Sequence, residues 1–232
     1  MLLMRYVITG ASRGIGLEFV QQLLWRGDTV DAGVRSPEGA RRLEPLTREA
    51  GNRLRIHLLD VESDASIRSF AADVCTAPVD VLINNAGVLG QWCAFTEVDY
   101  TDMVRTFAIN ALGPLRVTTA LLPALRRSPV RKVAHVSSDM GSVASNTQGG
   151  AYAYRMSKAA LNMGVRSLAS DLRGEGLITV LLHPGWVQTD MGGSKAPLPV
   201  ADSVRGMLRI IDGLGPEQSG RFLDYQGAEV PW

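Results

Sequence analysis

The 232-residue sequence has few cysteines, few histidines and almost no net charge, and each property excludes a class of protein. Cys75 and Cys93 are too few for a disulfide framework in a chain of this length, so we expect reduced thiols and a cytoplasmic protein. The three histidines lack the spacing of metal ligands, and we predict no metal site. The 24 basic and 23 acidic residues nearly cancel, so no nucleic-acid partner is expected.

Long uncharged apolar runs are also missing, and we therefore expect no transmembrane segment. The opening stretch "MLLMRYVITG" is apolar but short, and it continues directly into a strand-like pattern, unlike a signal peptide. The length suits a single α/β domain over residues 1–232, which is large enough for a buried core.

Short apolar strand patterns alternate with longer helical patterns along the chain. The strand patterns are "RYVITG", "TVDAGV", "LRIHLLD", "VDVLINNAG", "RKVAHVSS" and "LITVLLHPG". This alternation predicts an α/β fold, a doubly wound parallel sheet of the Rossmann type with helices on both faces. Polar or glycine-rich clusters follow several strands, where the carboxyl ends of a parallel sheet form a ligand site.

The stretch "TGASRGIG" joins the first strand to the first helix. Gly10, Gly14 and Gly16 would let the backbone approach a diphosphate at the helix N-terminus; a simple glycine-rich turn is the alternative. "GASRG" also matches the nucleophile elbow of hydrolases, with Ser12 as nucleophile and a histidine as base. That interpretation is weaker, because no earlier strand–helix loop precedes this motif and the third glycine would have no role.

Arg35 is the residue that bears on cofactor choice. An acidic residue about 20 positions beyond the glycines normally binds the ribose of NAD. Here Val34 and Arg35 occupy that region, and Asp31 comes several residues too early. A guanidinium suits a 2′-phosphate, and Arg13 could flank the same group. The pair favours NADP(H) over NAD(H), although either arginine could be a solvated surface charge.

The helical stretch "AYAYRMSKAALN" contains Tyr154 and Lys158 four residues apart. This spacing places a phenol and an ammonium group on one helical face, whereas Tyr152 points elsewhere. The spacing alone does not decide between chemistry and ordinary packing.

Five motifs occur in the order seen in short-chain dehydrogenases/reductases, and the resemblance covers essentially the whole chain. They are "TGASRGIG", "NNAG" at 84–87, "SS" at 137–138, "YRMSK" at 154–158 and "HPGWVQTDM" at 183–191. The stretches "NTQGGAYAYRMSKAALN" and "DYQGAEVPW" are further similar to the subgroup that contains bacterial C-factor and the sniffer-type carbonyl reductases. The resemblance implies a single Rossmann-type domain with seven strands.

The resemblance also implies catalytic roles. Tyr154 would be the general acid–base, Lys158 would favour its phenolate and hold the nicotinamide ribose, and Ser138 would bind the substrate oxygen. Asn110 would hold a water that links Lys158 to solvent, although packing within a helix is an equal alternative. Ser138 precedes Tyr154 by 16 residues, more than in many members, and its assignment in place of Ser137 rests on the spacing to Gly141.

Together, the glycine loop, the arginines and the resemblance predict the following cofactor-binding residues: Gly10, Ser12, Arg13, Gly14, Ile15, Gly16, Arg35, Asp60, Val61, Asn84, Ala86, Gly87, Tyr154, Lys158, Pro184, Gly185, Val187 and Thr189. The implied activity is NADP(H)-dependent interconversion of a carbonyl and a primary or secondary alcohol, with a small apolar substrate. The loops expected to bound the substrate pocket are 87–95, 141–150 and 191–203.

Two further expectations follow from the resemblance. The helices of the family pair across a two-fold axis, so we expect a homodimer or homotetramer. Alternatively, the chain acts like C-factor in developmental signalling or as a cofactor-dependent sensor, with turnover secondary and a role at the cell surface or outside the cell.

Overall fold

The computed structural model describes residues 3–232, which contain seven parallel strands in one sheet. The strands are β1 (Arg5–Thr9), β2 (Thr29–Val34), β3 (Leu54–Leu58), β4 (Val81–Asn84), β5 (Lys132–Val136), β6 (Ile178–His183) and β7 (Arg221–Asp224). Their spatial order is β3-β2-β1-β4-β5-β6-β7. The predicted doubly wound Rossmann sheet is therefore confirmed. The seventh strand, which no sequence pattern located, pairs with β6.

Helices cover both faces of the sheet. They are α1 (Gly14–Trp25), α2 (Pro37–Arg41), α3 (Glu44–Ala50), α4 (Asp64–Val74), α5 (Tyr100–Phe107), α6 (Gly113–Arg126), α7 (Tyr152–Asp171) and α8 (Val200–Gly213). Because strand side chains alternate, neighbouring residues of β1 enter different cores. Ile8 packs in the core beneath α1 and α8, and Val7 packs in the core beneath α4 and α6.

The helical region Tyr100–Arg126 is interrupted at its centre. Asp99 caps α5 by accepting from the backbone N–H groups of Thr101 and Asp102. A π-helical turn, Ala108–Leu112, then joins α5 to α6 and contains Asn110. Such turns are inserted at functional sites more often than elsewhere.

The continuous helical run Tyr100–Arg126 is long and apolar enough to cross a membrane by length and composition alone. In the fold, 56% of its apolar window is buried, and α6 packs on β4 and β5. These are the properties of a helix in the core of a globular domain.

The strand order reverses at β1, which lies between β2 and β4. The loops after these strands lead to opposite sides of the sheet, so a crevice opens above their carboxyl ends. The glycine-rich stretch after β1 and the "NNAG" stretch after β4 both begin at this crevice.

Candidate active site

The loop after β1 has the backbone conformation that its glycines permit. Gly10 and Gly14 have φ values of +67° and +52°. A Cβ atom on Gly10 would lie 2.8 Å from Ala86 Cα, and a Cβ atom on Gly16 would overlap the Gly10 carbonyl oxygen. Side chains at these positions would close the approach to the first turn of α1, as predicted for a diphosphate-binding loop.

Thr9 and Asn85 hold this loop in place, and sequence reasoning missed both. The Thr9 hydroxyl accepts from the backbone N–H groups of Asn85 and Ala86, each at 3.0 Å. The Asn85 amide donates to the carbonyls of Thr9 and Gly10, each at 3.1 Å. Side chains alternate along β4, so one of the two asparagines at its end had to face the loop, but the sequence does not show which one.

The Asn84 side chain lies in the core instead. Its amide donates to the Thr118 hydroxyl at 3.0 Å and lies 3.4 Å from His135 Nδ1. Asn84 therefore ties β4 to α6 and β5, and its side chain does not face the crevice. Ala86 and Gly87 lie at the crevice, beyond the end of the strand.

The end of β2 lies beside the glycine loop. The Ala11 N–H donates to the Gly33 carbonyl, and Ser12 packs against Gly39 at the start of α2. Arg35 is exposed at this edge. Arg13 is also exposed and lies 3.4 Å from Asp190. Both predicted arginines are therefore on the surface at this end of the crevice.

Asp31 is occupied elsewhere, as its early position suggested. It is fully buried and forms ion pairs with Arg5 and Arg55 and a 2.8 Å contact with His57 Nε2. These hydrogen bonds outweigh burial and hold the pKa of Asp31 well below its usual range. Its carboxylate thus joins β1, β2 and β3 within the sheet.

Asp60 and Val61, two of the predicted cofactor-binding residues, follow β3. Asp60 accepts from the Glu62 N–H at 3.0 Å, and Val61 is buried against Gly113. Ile15 lies in the first turn of α1 and packs against the core below it.

The segment after β6 turns back toward the glycine loop. Gly185 has a φ of +82° and packs against Leu198. The Pro184 carbonyl accepts from the Ser203 hydroxyl at 2.6 Å, and buried Val187 forms a bridge with Leu198. The Thr189 methyl group would lie 3.3 Å from a Cβ atom on Gly14. The four predicted residues therefore form one wall of the crevice.

Tyr154 and Lys158 lie on the same buried face of α7, as their spacing predicted. Lys158 Nζ is 5.7 Å from the centroid of the Tyr154 ring and donates to the Val136 carbonyl at 2.8 Å. Tyr152 points away, and its ring packs against Phe95 with centroids 5.7 Å apart.

The expected lowering of the Tyr154 pKa stays a prediction for the cofactor complex, because the protein alone shows the opposite direction. Burial raises the pKa of Tyr154 to about 12, and the neighbouring Ser138 hydroxyl only partly opposes it. Burial also lowers the pKa of Lys158 to about 8. Removal from water disfavours the charged form of both groups, and the Asp139 carboxylate further raises the pKa of Tyr154.

Ser138 lies at the carboxyl end of β5, before the short 3₁₀ turn Asp139–Gly141. Its hydroxyl donates to Asp139 Oδ1 and accepts from the Met140 N–H, both at 3.1 Å. Ser137 instead bonds to Asn162 on α7. The structure thus places Ser138, and not Ser137, next to the Tyr154 phenol.

The buried Asn110 side chain fixes the loop that follows "NNAG". It accepts from the Val88 N–H and donates to the Val88 carbonyl, both at 2.8 Å, and also donates to the Ser157 hydroxyl. A Cβ atom on Gly87 would lie 3.2 Å from Asn110 Oδ1 and 3.8 Å from Lys158 Nζ. The predicted water-binding role of Asn110 stays a prediction, whereas its packing role is visible.

Four large apolar side chains lie in the segments that follow β4 and β6. They are Trp92, Phe95, Trp186 and Met191, which are all exposed and therefore not part of the core. The Trp186 indole N–H donates to the Gly192 carbonyl at 2.8 Å, which orients the ring within its loop.

The residues present fit a dinucleotide. The glycine positions leave a cradle that Cβ atoms would fill, and Lys158 and Tyr154 lie at the far end of the same crevice. No group of three metal-ligating side chains occurs among residues 3–232. Within the same residues, Ser12 has no hydrogen bond to a histidine, and His135 lies in the core with Asn84. The geometry therefore disfavours the hydrolase alternative.

Known proteins resemble the chain at the level of sequence. The short chain dehydrogenase family profile matches residues 5–197. C-signal of Myxococcus xanthus is 74% identical over 166 residues, which cover 72% of this chain and all of that protein.

Solved structures resemble the whole chain. The NADPH-bound carbonyl reductase from chicken fatty liver superimposes with a TM-score of 0.94 at 35% identity, with full coverage of both chains. The carbonyl reductase Sniffer of D. melanogaster gives a TM-score of 0.95 at 33% identity, also with full coverage of both.

Proposed function

Because the chain belongs to the short-chain dehydrogenase/reductase family, we propose that it interconverts a carbonyl compound and the corresponding primary or secondary alcohol with NADP(H). The observation that carries this proposal is the convergence of Tyr154, Lys158 and Ser138 at one crevice. Tyr154 and Ser138 are neighbours, and Lys158 lies beneath the Tyr154 ring. A protein that only binds a dinucleotide does not need this set.

The cofactor, when bound, supplies or accepts a hydride at its nicotinamide ring. Gly10, Gly14 and Gly16 would hold its diphosphate, and Lys158 would hold the ribose next to the nicotinamide. The Ser138 hydroxyl would donate a hydrogen bond to the substrate oxygen. The Tyr154 phenol would give its proton to that oxygen as the carbonyl is reduced, and would take it back during oxidation.

The protonation states favour the reductive direction. With a pKa of about 12, the Tyr154 phenol carries its proton at neutral pH and is ready to act as an acid. Lys158, with a pKa of about 8, is mostly charged at the same pH and supports the negative charge that develops on the substrate oxygen.

NADP(H) is favoured because two cationic side chains lie at the edge where a 2′-phosphate would be bound. Arg35 and Arg13 are exposed there, and the only acidic residue of β2, Asp31, is buried within the sheet. The carbonyl reductase from chicken fatty liver carries NADPH in its crystal structure.

We further propose a small apolar substrate. The loop residues Trp92, Phe95, Trp186 and Met191 offer apolar surface around the crevice, and the Ser138 and Tyr154 hydroxyls provide polar contacts at its base. A pocket of this type binds the carbonyl by hydrogen bonds and the remainder of the molecule by contact area.

The test is a screen of aldehydes, ketones and secondary alcohols that follows NADPH absorbance. Tyr154→Phe should abolish turnover and leave NADPH affinity nearly unchanged, since only the hydroxyl is lost. Tyr152→Phe is the matched control on the same helix and should keep its activity. The assignment is wrong if Tyr154→Phe keeps most of the activity while Tyr152→Phe loses it.

A second candidate function is developmental signalling or cofactor-dependent sensing. The 74% identity to C-signal favours it. In cells that depend on the protein, loss of the phenotype in Tyr154→Phe supports enzymatic action, and a retained phenotype supports signalling by the folded protein. A signalling role would also be compatible with a location at the cell surface.

We propose that the chain assembles as a homodimer or homotetramer and acts in the cytoplasm on small molecules, without nucleic acid. Apolar side chains stay exposed on α5 and α7, among them Tyr100, Val104 and Met163. Both cysteines are free thiols, which suits a reducing compartment.

A further inference from the structure

The turn that carries Ser138 is short and is held by side chains from two other elements. Only three residues, Asp139–Gly141, form it, and Ser138 itself is the residue that precedes them. The Ser138 hydroxyl caps the turn by accepting from the Met140 N–H. The two further supports are Asn162 on α7 and His183 at the end of β6, to which the reaction described above gives no role.

Asn162 connects both ends of the turn to the catalytic helix. It lies four residues after Lys158 and eight after Tyr154, hence on the same face of α7, and it is 3% exposed. Its Oδ1 accepts from the Ser137 hydroxyl at 2.6 Å, and its Nδ2 donates to the Gly141 carbonyl at 3.3 Å.

Gly141 also touches α7 directly. A Cβ atom there would lie 2.8 Å from the Lys158 backbone, so the turn and the helix are already in contact. Packing brings the turn and the helix together, and the two Asn162 hydrogen bonds fix how the turn is oriented on the helix.

His183 supports the middle of the turn from the opposite side. Its Nδ1 accepts from the Asp139 N–H at 3.1 Å. A ring nitrogen can accept only when it is unprotonated, so this contact requires neutral His183 with its proton on Nε2. Burial lowers the pKa of His183, against the opposing effects of the Asp139 and Asp224 carboxylates, and the required form is present at neutral pH.

We propose that Asn162 and His183 are positioning residues that hold Ser138 in register with Tyr154. The proposal rests on the proposed reductase function, in which the Ser138 hydroxyl binds the substrate oxygen. The position of that hydroxyl is set by the backbone of residues 137–141. Asn162 and His183 form hydrogen bonds with polar groups of this segment from opposite sides. A displacement near 1 Å at such a group lowers rates by about 100-fold at most.

Two pairs of variants separate the hydrogen bonds from side-chain volume. His183→Asn can keep an acceptor near the Nδ1 position, whereas His183→Phe keeps a ring and loses the acceptor. Asn162→Asp keeps the acceptor for Ser137 and loses the donor to Gly141, whereas Asn162→Leu loses both. Thr179→Val is the control on β6, because the Thr179 hydroxyl is buried and has no hydrogen-bond partner within residues 3–232.

We expect His183→Phe and Asn162→Leu to lower kcat for carbonyl reduction about tenfold each, the loss typical of one or two hydrogen bonds. NADPH affinity and the KM for NADPH should stay unchanged. His183→Asn should recover most of the parent kcat. The kcat of Asn162→Asp should lie between those of Asn162→Leu and the parent, and the kcat of Thr179→Val should equal that of the parent. A loss of NADPH affinity in step with kcat would overturn the proposal, since it would indicate general damage to the fold.

The same substitutions in a Ser138→Ala background give the sharper criterion. If Asn162 and His183 act through Ser138, their replacement should lower kcat no further once the hydroxyl is gone. Full additivity of the losses would show that they act elsewhere, and the proposal would fail.

Hydrogen exchange separates this proposal from the proposed function. His183→Phe should speed exchange of the Asp139 amide, and Asn162→Leu should speed exchange across segment 137–142, while Thr179→Val leaves that segment unchanged. If exchange changes in this way but the parent reduces no carbonyl compound, the support of the turn stands and the reductase function is wrong. Unchanged exchange in both variants overturns the support itself.

Discussion

Lys158 Nζ lies 5.7 Å from the centroid of the Tyr154 ring, and its hydrogen bond goes to the Val136 carbonyl and not to the phenol. The ammonium is thus fixed below the ring, where it can meet a ribose hydroxyl, while the phenol faces Ser138. Because both groups are buried, each is biased toward its neutral form. At neutral pH the phenol therefore keeps its proton while Lys158 is still mostly charged, and we expect the positive nicotinamide ring to favour release of the phenol proton.

The first prediction concerns that proton. Since burial raises the pKa of Tyr154 to about 12, its phenol should stay protonated above pH 10 in the protein alone. NADP⁺ should lower this pKa, because the positive ring favours phenolate, and alcohol oxidation should then rise with pH through the lowered value. Ultraviolet difference titration of the parent minus Tyr154→Phe, with and without NADP⁺, measures both values. Identical pKa values with and without NADP⁺ would show that the positive charge of the bound cofactor does not affect the phenol.

The second prediction concerns cofactor choice. Arg35→Ala should weaken NADPH binding by roughly 1.5–3 kcal/mol, the loss of a charge-assisted contact, or about 10- to 100-fold in Kd. NADH binding should change little, because NADH lacks the 2′-phosphate. Arg42→Ala, which removes an exposed charge from the end of α2, is the matched control. Fluorescence titration with both cofactors checks this, and equal affinity of the parent for both would contradict it.

Local spacing predicted much of the fold and of the site. The glycine loop and the Tyr154–Lys158 pair each depend on residues within one turn or one helical face, so the chain alone determines their geometry. The strand patterns also predicted the sheet, except β7, whose sequence RFLD has only two buried apolar residues between an exposed arginine and an aspartate.

Contacts between distant elements account for what the sequence did not reveal. The roles of Asn84 and Asn85 depend on which side of β4 faces α6, and adjacent identical residues do not disclose it. The Tyr154 pKa depends on burial and on Ser138 and Asp139, which come from another part of the chain. Asn162 and His183 approach the Ser138 turn only after α7 and β6 have packed around it.

The third prediction concerns assembly. Val104 on α5 and Met163 on α7 are 70% and 69% exposed, and these two helices pack together. If this face joins two copies, Val104→Glu with Met163→Glu should convert the dimer to a monomer, because charged groups would be buried in an apolar interface. Light scattering at micromolar concentration gives the mass. Trp25→Glu, at an 89% exposed residue on α1, is the control and should leave the mass unchanged. A monomeric parent would contradict the prediction.

The fourth prediction concerns acid stability and His135. This residue is fully buried in β5, and burial, together with the nearby Lys158 charge, lowers its pKa to about 3. Between about pH 6.5 and pH 3 the unfolded chain binds a proton at this histidine and the folded chain does not. The free energy of unfolding must therefore fall as the pH falls through this range, and the contribution is fully present only above pH 6.5.

His135→Leu removes this titration and retains an apolar side chain of similar reach. From pH 7 to pH 5 the parent should lose about 2 kcal/mol more unfolding free energy than the variant, because its unfolded state gains a proton that the variant cannot bind. Urea unfolding at the two pH values measures the difference, and the carboxylates common to both proteins cancel from it. Asn84 keeps its hydrogen bond to Thr118 in the variant, so β4 stays tied to α6. Equal losses in parent and variant would mean that His135 titrates in the folded state as it does in the unfolded chain, and that its burial is not maintained in solution.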